Sequence, residues 1–223
     1  MGGQQVTRPR TRSTATSRAV RTPREHIRAV EGCTACSLHT ERTAPVTGDG
    51  PVDARLVVVA AVPRRHEDLQ GRALAGAGRN VLDTALVGAG LVPDEVRVTS
   101  VMRCRPVDDR EPTPDEVRSC AGHLRAELAM LSPEVIVSLG AFATSVLLGR
   151  PVPLERVAGY RLDILQGVTL VPTYHPRDVV RGVPQAASAL RRDLTVARAV
   201  LEGRMKSGAE ALADLRSRLV ADG

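Results

Sequence analysis

The chain contains four cysteines, and they fall into one pattern: Cys33-Thr-Ala-Cys36 near the start, then Cys104, then Cys120. Two ligands three positions apart grip a metal centre from a single turn, and two more thiolates from distant segments complete a four-sulfur set. Such a centre staples the N-terminal segment to the middle of the fold. The N-terminus is rich in Arg and Thr without an apolar stretch, and no run approaches the roughly 20 apolar residues that cross a membrane. The expectation is a protein of the reducing cytoplasm with no membrane partner, where four cysteines bind metal more often than they form two disulfides.

Other residues carry chemistry less specifically. His175 follows an apolar run and precedes Pro176, which keeps a helix from starting early, so its ring can face a pocket mouth; a surface or capping histidine is the plain alternative. Glu67 and Asp68 sit in a polar stretch where either can position a water, or simply pair with Arg64, Arg65 or Arg72. His66 beside them reads as an exposed loop residue. Arg103, Arg105 and Arg110 surround the third cysteine and can meet phosphates if they cluster in space.

Charge is unevenly placed. Arg8, Arg10, Arg12, Arg18, Arg21 and Arg24 account for the whole net charge of +6, so the rest of the chain is formally neutral. Residues 1–24, with their Gly, Gln, Ser, Thr and Pro, read as a disordered basic arm able to add salt-dependent attraction to phosphates. Phe142, Tyr160 and Tyr174 are the only aromatics, which argues against a single-strand binder that stacks successive bases.

These residues need a scaffold, and the pattern supplies one. Leu56-Val-Val-Val-Ala60, Val96 to Val101, Val135-Ile-Val-Ser-Leu139 and Gly167 to Pro172 read as strands. Helices are expected over 78–89, from Thr113-Pro-Asp-Glu116 to about Leu131, after Gly140, and from about Gln185 to Leu201. Residues 63–72 read as a polar loop. The alternation indicates a three-layer α/β/α sandwich around a central, mostly parallel four-stranded sheet, in residues 25–205, with a helical tail over 206–223. Ligands of such sheets gather beyond the carboxyl ends of the strands, here Ala60–Asp68, Ser100–Pro106, Gly140 and Tyr174–Arg177. The sequence shows no Walker loop, dinucleotide fingerprint or serine nucleophile elbow.

Those strand ends, taken with the cysteines, resemble the family 4 uracil-DNA glycosylases, the iron–sulfur branch of the uracil-DNA glycosylase superfamily. The match runs from about Glu31 to Arg177. It includes Cys33-x-x-Cys36 with Leu38, Gly48-Asp-Gly-Pro51, Glu67-Asp68-x-x-Gly71-Arg72, Gly76-x-Gly78-Arg79 and Leu82-Asp83. It continues with Cys104-Arg-Pro106, Arg110-x-Pro-Thr-Pro-Asp-Glu116-x-x-x-Cys120, Leu139-Gly140 and Tyr174-His-Pro176. The resemblance implies a 4Fe–4S cluster on Cys33, Cys36, Cys104 and Cys120, with zinc as the simpler physical alternative for four thiolates. It also implies that His175 donates a hydrogen bond to a base carbonyl, and that Pro176, Arg177 and Arg181 approach DNA near the flipped nucleotide.

Three pocket positions depart from the family. Its Gly-Glu-Ala-Pro-Gly loop corresponds to Ala60-Ala61-Val62-Pro63-Arg64, so Ala61 stands where a Glu helps to activate water and only Pro63 survives. Leu74 stands for the Phe that stacks on the base, and Ser100 for an Asn that contacts it. With Gly140, these residues are the expected substrate pocket, smaller-walled and less polar than usual, and open to a larger or more labile base. Glu67 and Asp68 then become the candidate replacements for the lost carboxylate. The expected function is a monomeric, monofunctional DNA glycosylase acting on DNA with a damaged or deaminated base. No lysine is placed for a Schiff base, since Lys206 in the tail is the only one. The competing expectations are a catalytically silent lesion-binding protein that kept the fold, and a hydrolase of free nucleosides or nucleotides.

Overall fold

The apolar runs become β1 (Leu56–Ala60), β2 (Val96–Ser100), β3 (Val135–Leu139), β4 (Leu162–Leu165) and β5 (Val168–Thr173), which form one sheet in the order β2-β1-β3-β5-β4. The computed structural model describes residues 22–165 and 167–205. β2, β1, β3 and β5 run parallel, and β4 lies antiparallel on β5. Every residue of β1, β2 and β3 is buried, as strands covered on both faces must be.

The covering helices are α1 (Pro23–Glu31), α2 (Arg65–Gln70), α3 (Ala77–Gly88), α4 (Pro114–Leu131), α5 (Gly140–Leu148), α6 (Pro176–Val180) and α7 (Ala186–Leu201). Alternate strand residues feed opposite layers. Leu56, Val58 and Ala60 pack with Leu82 and Leu86 of α3 and Leu190 and Leu194 of α7. Val57 and Val59 pack with Leu124 of α4, Ala143 of α5 and Leu38. The three-layer α/β/α sandwich is therefore present. Thr113 caps α4 as its sequence implies, taking the Glu116 N–H while Glu116 reaches back to the Thr113 N–H.

Three features differ from the sequence expectation. The sheet has five strands, because the short run Leu162-Asp-Ile-Leu165 pairs with β5 across a turn at Gly167, whose φ of 79° suits a residue without a side chain. The stretch 63–72 holds α2 and is not a plain loop: Glu67 accepts the Arg64 N–H at 2.9 Å and so starts a helix where composition signals none. Thr22 caps α1, which takes in Arg24; most of the basic arm (residues 1–21) and the tail (206–223) lie outside the described residues. No helix among the described residues is long and apolar enough to cross a membrane.

A buried ion cluster joins α4 to β2. Glu127 of α4 is 0% exposed and takes Arg97 at 2.8 and 3.0 Å, Arg103 at 2.7 Å and the Thr99 hydroxyl at 2.6 Å. Arg97 and Thr99 share one face of β2, which is why this edge strand buries polar residues against α4. Burial pushes the Glu127 carboxyl up, but Arg103, Thr99 and Arg97 outweigh it and hold the pKa at about 2. His26 of α1 sits 3.8 Å away, kept neutral by burial and the two guanidiniums against the pull of Glu127.

Removing the central charge leaves two arginines without a counter-ion. Glu127→Gln is expected to lose about 3–5 kcal/mol in urea denaturation, and a loss under about 1 kcal/mol would contradict the assignment. Because the folded pKa is depressed, this stabilisation is full above the ordinary value of 4.5 and disappears as pH falls towards about 2.

Candidate functional site

The four cysteines come together. Cys33 and Cys36 follow the end of α1, Cys104 follows β2, and Cys120 lies on α4, yet all four line one small pocket with His39, Arg42 and Arg103. Cys33 and Cys36 remain half-buried, whereas Cys104 and Cys120 are buried. The Arg103 N–H reaches Cys120 Sγ at 3.2 Å, and Arg42 donates to Cys104 Sγ at 3.3 Å and to the Glu31 carbonyl at 2.8 Å. Burial pushes the Cys120 thiol up to about 11 and raises Cys104, partly offset by those donors. Among the described residues no three His, Cys, Asp or Glu side chains close on a single-ion position.

A second site lies at the carboxyl ends of β1 and β2. Pro63, Glu67, Leu74, Ser100 and Arg177 line one cleft, walled by Val46, Ala60, Val62 and Ala73. Its walls meet so closely that no water fits between them. The roomier pocket expected from Ala61, Leu74 and Ser100 is thus absent. Leu74 forms part of the cleft wall: it is buried, its backbone takes a φ of 53°, and its side chain lies over Gly78 of α3. That left-handed conformation costs a non-glycine residue about 1–2 kcal/mol, a strain of the kind held at functional sites.

His175 stands beside this cleft as the N-cap of α6. Its Nδ1 accepts the Arg177 N–H at 3.0 Å, which leaves the ring proton on Nε2. That Nε2 is buried without a partner among the described residues, although the residue as a whole is 7% exposed. Burial, then the charges of Arg177, Arg181 and Arg64, lower its pKa to about 3. The ring is therefore a neutral hydrogen-bond donor. Gly140, with a φ of 84°, turns β3 directly into α5 and keeps a bare backbone next to the His175 Cβ.

The carboxylates divide. Glu67 reaches the cleft, where its oxygens accept the Arg64 and Ala75 N–H groups at 2.9 Å and lie 3.8 Å from Arg177. Asp68 turns away and takes the Thr43 N–H with both oxygens. Neither is a solvated side chain; both are buried, while His66 is exposed as expected.

Other expected residues are placed more mixedly. The Ser100 hydroxyl donates to the Met102 carbonyl at 2.7 Å, and Ala61 packs against the core without lining the cleft. Pro176 opens α6, and Arg181 is exposed at its end. Arg103 does not face phosphates, since Glu127 holds it inside; Arg105 and Arg110 pair with Asp109 and Glu116. Arg177, expected on the DNA surface, turns inward and donates to the Val62 carbonyl at 3.1 Å. Val46 and Ala73 carried no sign of chemistry.

Comparison with known proteins agrees with this geometry. The family described as the uracil DNA glycosylase superfamily matches residues 47–195. The chain is 39% identical over 153 residues to a type-4 uracil-DNA glycosylase of Thermotoga maritima, covering 68% of this chain and 80% of that one. It is 34% identical over 161 residues to the type-4 uracil-DNA glycosylase of Archaeoglobus fulgidus, covering 69% and 81%. A type-5 uracil-DNA glycosylase of Pyrobaculum aerophilum is 32% identical over 149 residues, covering 59% and 65%.

The His175 assignment can be checked by nitrogen NMR of the imidazole. The expected result is a neutral Nε2–H ring throughout pH 5–8, with protonation near pH 3. As the folded pKa lies below the ordinary 6.5, the fold gains its full benefit above pH 6.5 and loses it as pH falls towards about 3. A midpoint near 6.5 would contradict a buried, caged ring.

Proposed function

Because the chain belongs to the uracil-DNA glycosylase superfamily, with relatives of the type-4 branch, we propose that it is a monofunctional DNA glycosylase of DNA repair. It hydrolyses the N-glycosidic bond of uracil, or of a related damaged base, in DNA. The observation that carries this reading is the His175 Nε2–H: a buried donor with a fixed tautomer and no protein acceptor is set to receive a carbonyl oxygen of an extruded base. As the C1′–N bond breaks, that hydrogen bond strengthens on the departing anion, and one such donor is worth ~10²–10³ in rate.

Glu67 takes the part of the missing family carboxylate. It is the acidic side chain of the cleft, held there by two main-chain donors, so it can orient the attacking water once the cleft opens. Opening means moving Leu74, which fills the space the base must take. Arg64 and Arg181 add positive charge around His175, and the basic arm adds sequence-independent attraction to DNA. The protein acts as a cytoplasmic monomer in this reading. A silent lesion binder fits less well, because the cleft retains a carboxylate, Glu67.

Cys33, Cys36, Cys104 and Cys120 would hold a 4Fe–4S cluster. What supports this is that all four thiols line one pocket, and four thiolates are the usual ligand set of such a cluster. When bound, the cluster cross-links the N-terminal segment, the loop after β2 and α4. The chain's own contribution is to keep those thiols under the Arg103 and Arg42 donors.

Oligonucleotides carrying uracil, hypoxanthine, alkylated bases or bulky adducts, incubated with anaerobically purified protein and then cleaved at abasic sites, test the activity. Uracil release is expected, with His175→Ala slower by ~10²–10³. DNA binding without release of any base would instead favour the silent binder. For the cluster, Cys120→Ser is expected to lose bound iron and visible absorbance and to lower the melting temperature; zinc in the wild-type protein, with no iron, would contradict the assignment.

A further inference from the structure

Arg177 occupies an unusual place for a surface-helix arginine. Its side chain is 25% exposed, and it lines the same closed cleft as Leu74, Ser100 and Glu67. One N–H is spent on the Val62 carbonyl at 3.1 Å, out of five that a guanidinium offers. Its nearest carboxylate, Glu67, lies at 3.8 Å and is already committed to the Arg64 and Ala75 N–H groups. The cation is thus half-neutralised in a place of low water content, where charge acts strongly.

The rest of the cleft needs such a charge. His175 is a neutral ring and lends a hydrogen bond only, while Ser100 has given its proton to the Met102 carbonyl. A departing base leaves with the electron pair of the C1′–N bond, and a water oxygen forms the new bond to C1′. The proton that water releases ends on the base or in solvent. Between bond breaking and that proton transfer the base is an anion, and nothing else lining the cleft carries a positive charge.

We propose that Arg177 is a catalytic residue of the base cleft, releasing the Val62 carbonyl to grip an acceptor oxygen of the extruded base and offset its negative charge as the glycosidic bond breaks. The assignment rests on the glycosylase reading and deepens it: the favoured substrate is a base that presents a carbonyl and leaves as an anion, uracil-like and unlike a cationic alkylated purine. It also separates Arg177 from Arg181, which stays exposed on the DNA side.

The test uses the full, iron-loaded chain in single-turnover reactions at saturating DNA, with uracil and with 5-fluorouracil, whose ring nitrogen is more acidic and whose anion needs less help. Arg177→Gln is expected to slow uracil release by ~10²–10³, and to slow 5-fluorouracil release by a factor roughly tenfold smaller. DNA affinity should change little. Arg177→Lys, which keeps the charge, should recover part of the uracil rate. Unchanged saturating rates with weaker, less salt-dependent DNA binding would put Arg177 on a phosphate and overturn the assignment. Equal slowing on both bases, with no recovery by lysine, would make its role structural and overturn it too. Wild-type protein that releases neither base would overturn the glycosylase reading itself.

Discussion

One buried carboxylate holds the working end of this molecule together. Glu127 on α4 grips Arg97 on β2 and Arg103 just beyond it, and Arg103 is the residue before Cys104. The main chain of Arg103 also donates to Cys120, two helical turns from Glu127 on the same face of α4. The ion cluster and the thiol pocket are therefore two halves of one joint. Burial first, and then the two guanidiniums, lower the pKa of His26 beside them against the pull of Glu127. A joint of this kind is weak evidence for stability, because the desolvation of three charges offsets most of their attraction. What it does fix is position, since Glu127 of α4 holds Arg97 and Thr99 of β2 and Arg103 just beyond it at once.

Beyond that joint, the strand ends carry the chemistry. β1 leads to the Val62 carbonyl, β2 ends at Ser100, β3 leads into Gly140 and β5 to His175, all on the side where parallel sheets place their ligands. The electrostatics there point one way. Burial, with the charges of Arg177, Arg181 and Arg64, keeps His175 neutral. Leu74, strained at φ 53°, lines the closed cleft with Glu67 and Arg177.

Much of this was legible in the sequence for physical reasons. Continuous apolar runs at 56–60 and 135–139 can only be strands covered on both faces, and Thr113-Pro-Asp-Glu116 carries its own capping geometry. The cysteine spacing announced a shared centre before any fold was known. What escaped depends on partners far along the chain. Arg97, Arg103 and Glu127 look like ordinary surface charges until β2 and α4 are stacked. β4 is four residues long, too short to signal a period of two. α2 begins because Glu67 caps Arg64, a contact invisible in composition. The left-handed backbone at Leu74 and the bond from Arg177 to the distant Val62 carbonyl leave no mark in the local sequence.

The central claim is that His175 meets the base through Nε2 inside a cleft that Leu74 must vacate. A crystal structure of the iron-loaded chain with abasic product DNA and free uracil tests this most directly. The account predicts a uracil carbonyl oxygen within hydrogen-bond distance of His175 Nε2, with the Leu74 side chain displaced from its present seat. A base lodged elsewhere while Leu74 still fills the cleft and Nε2 remains unpartnered would contradict it.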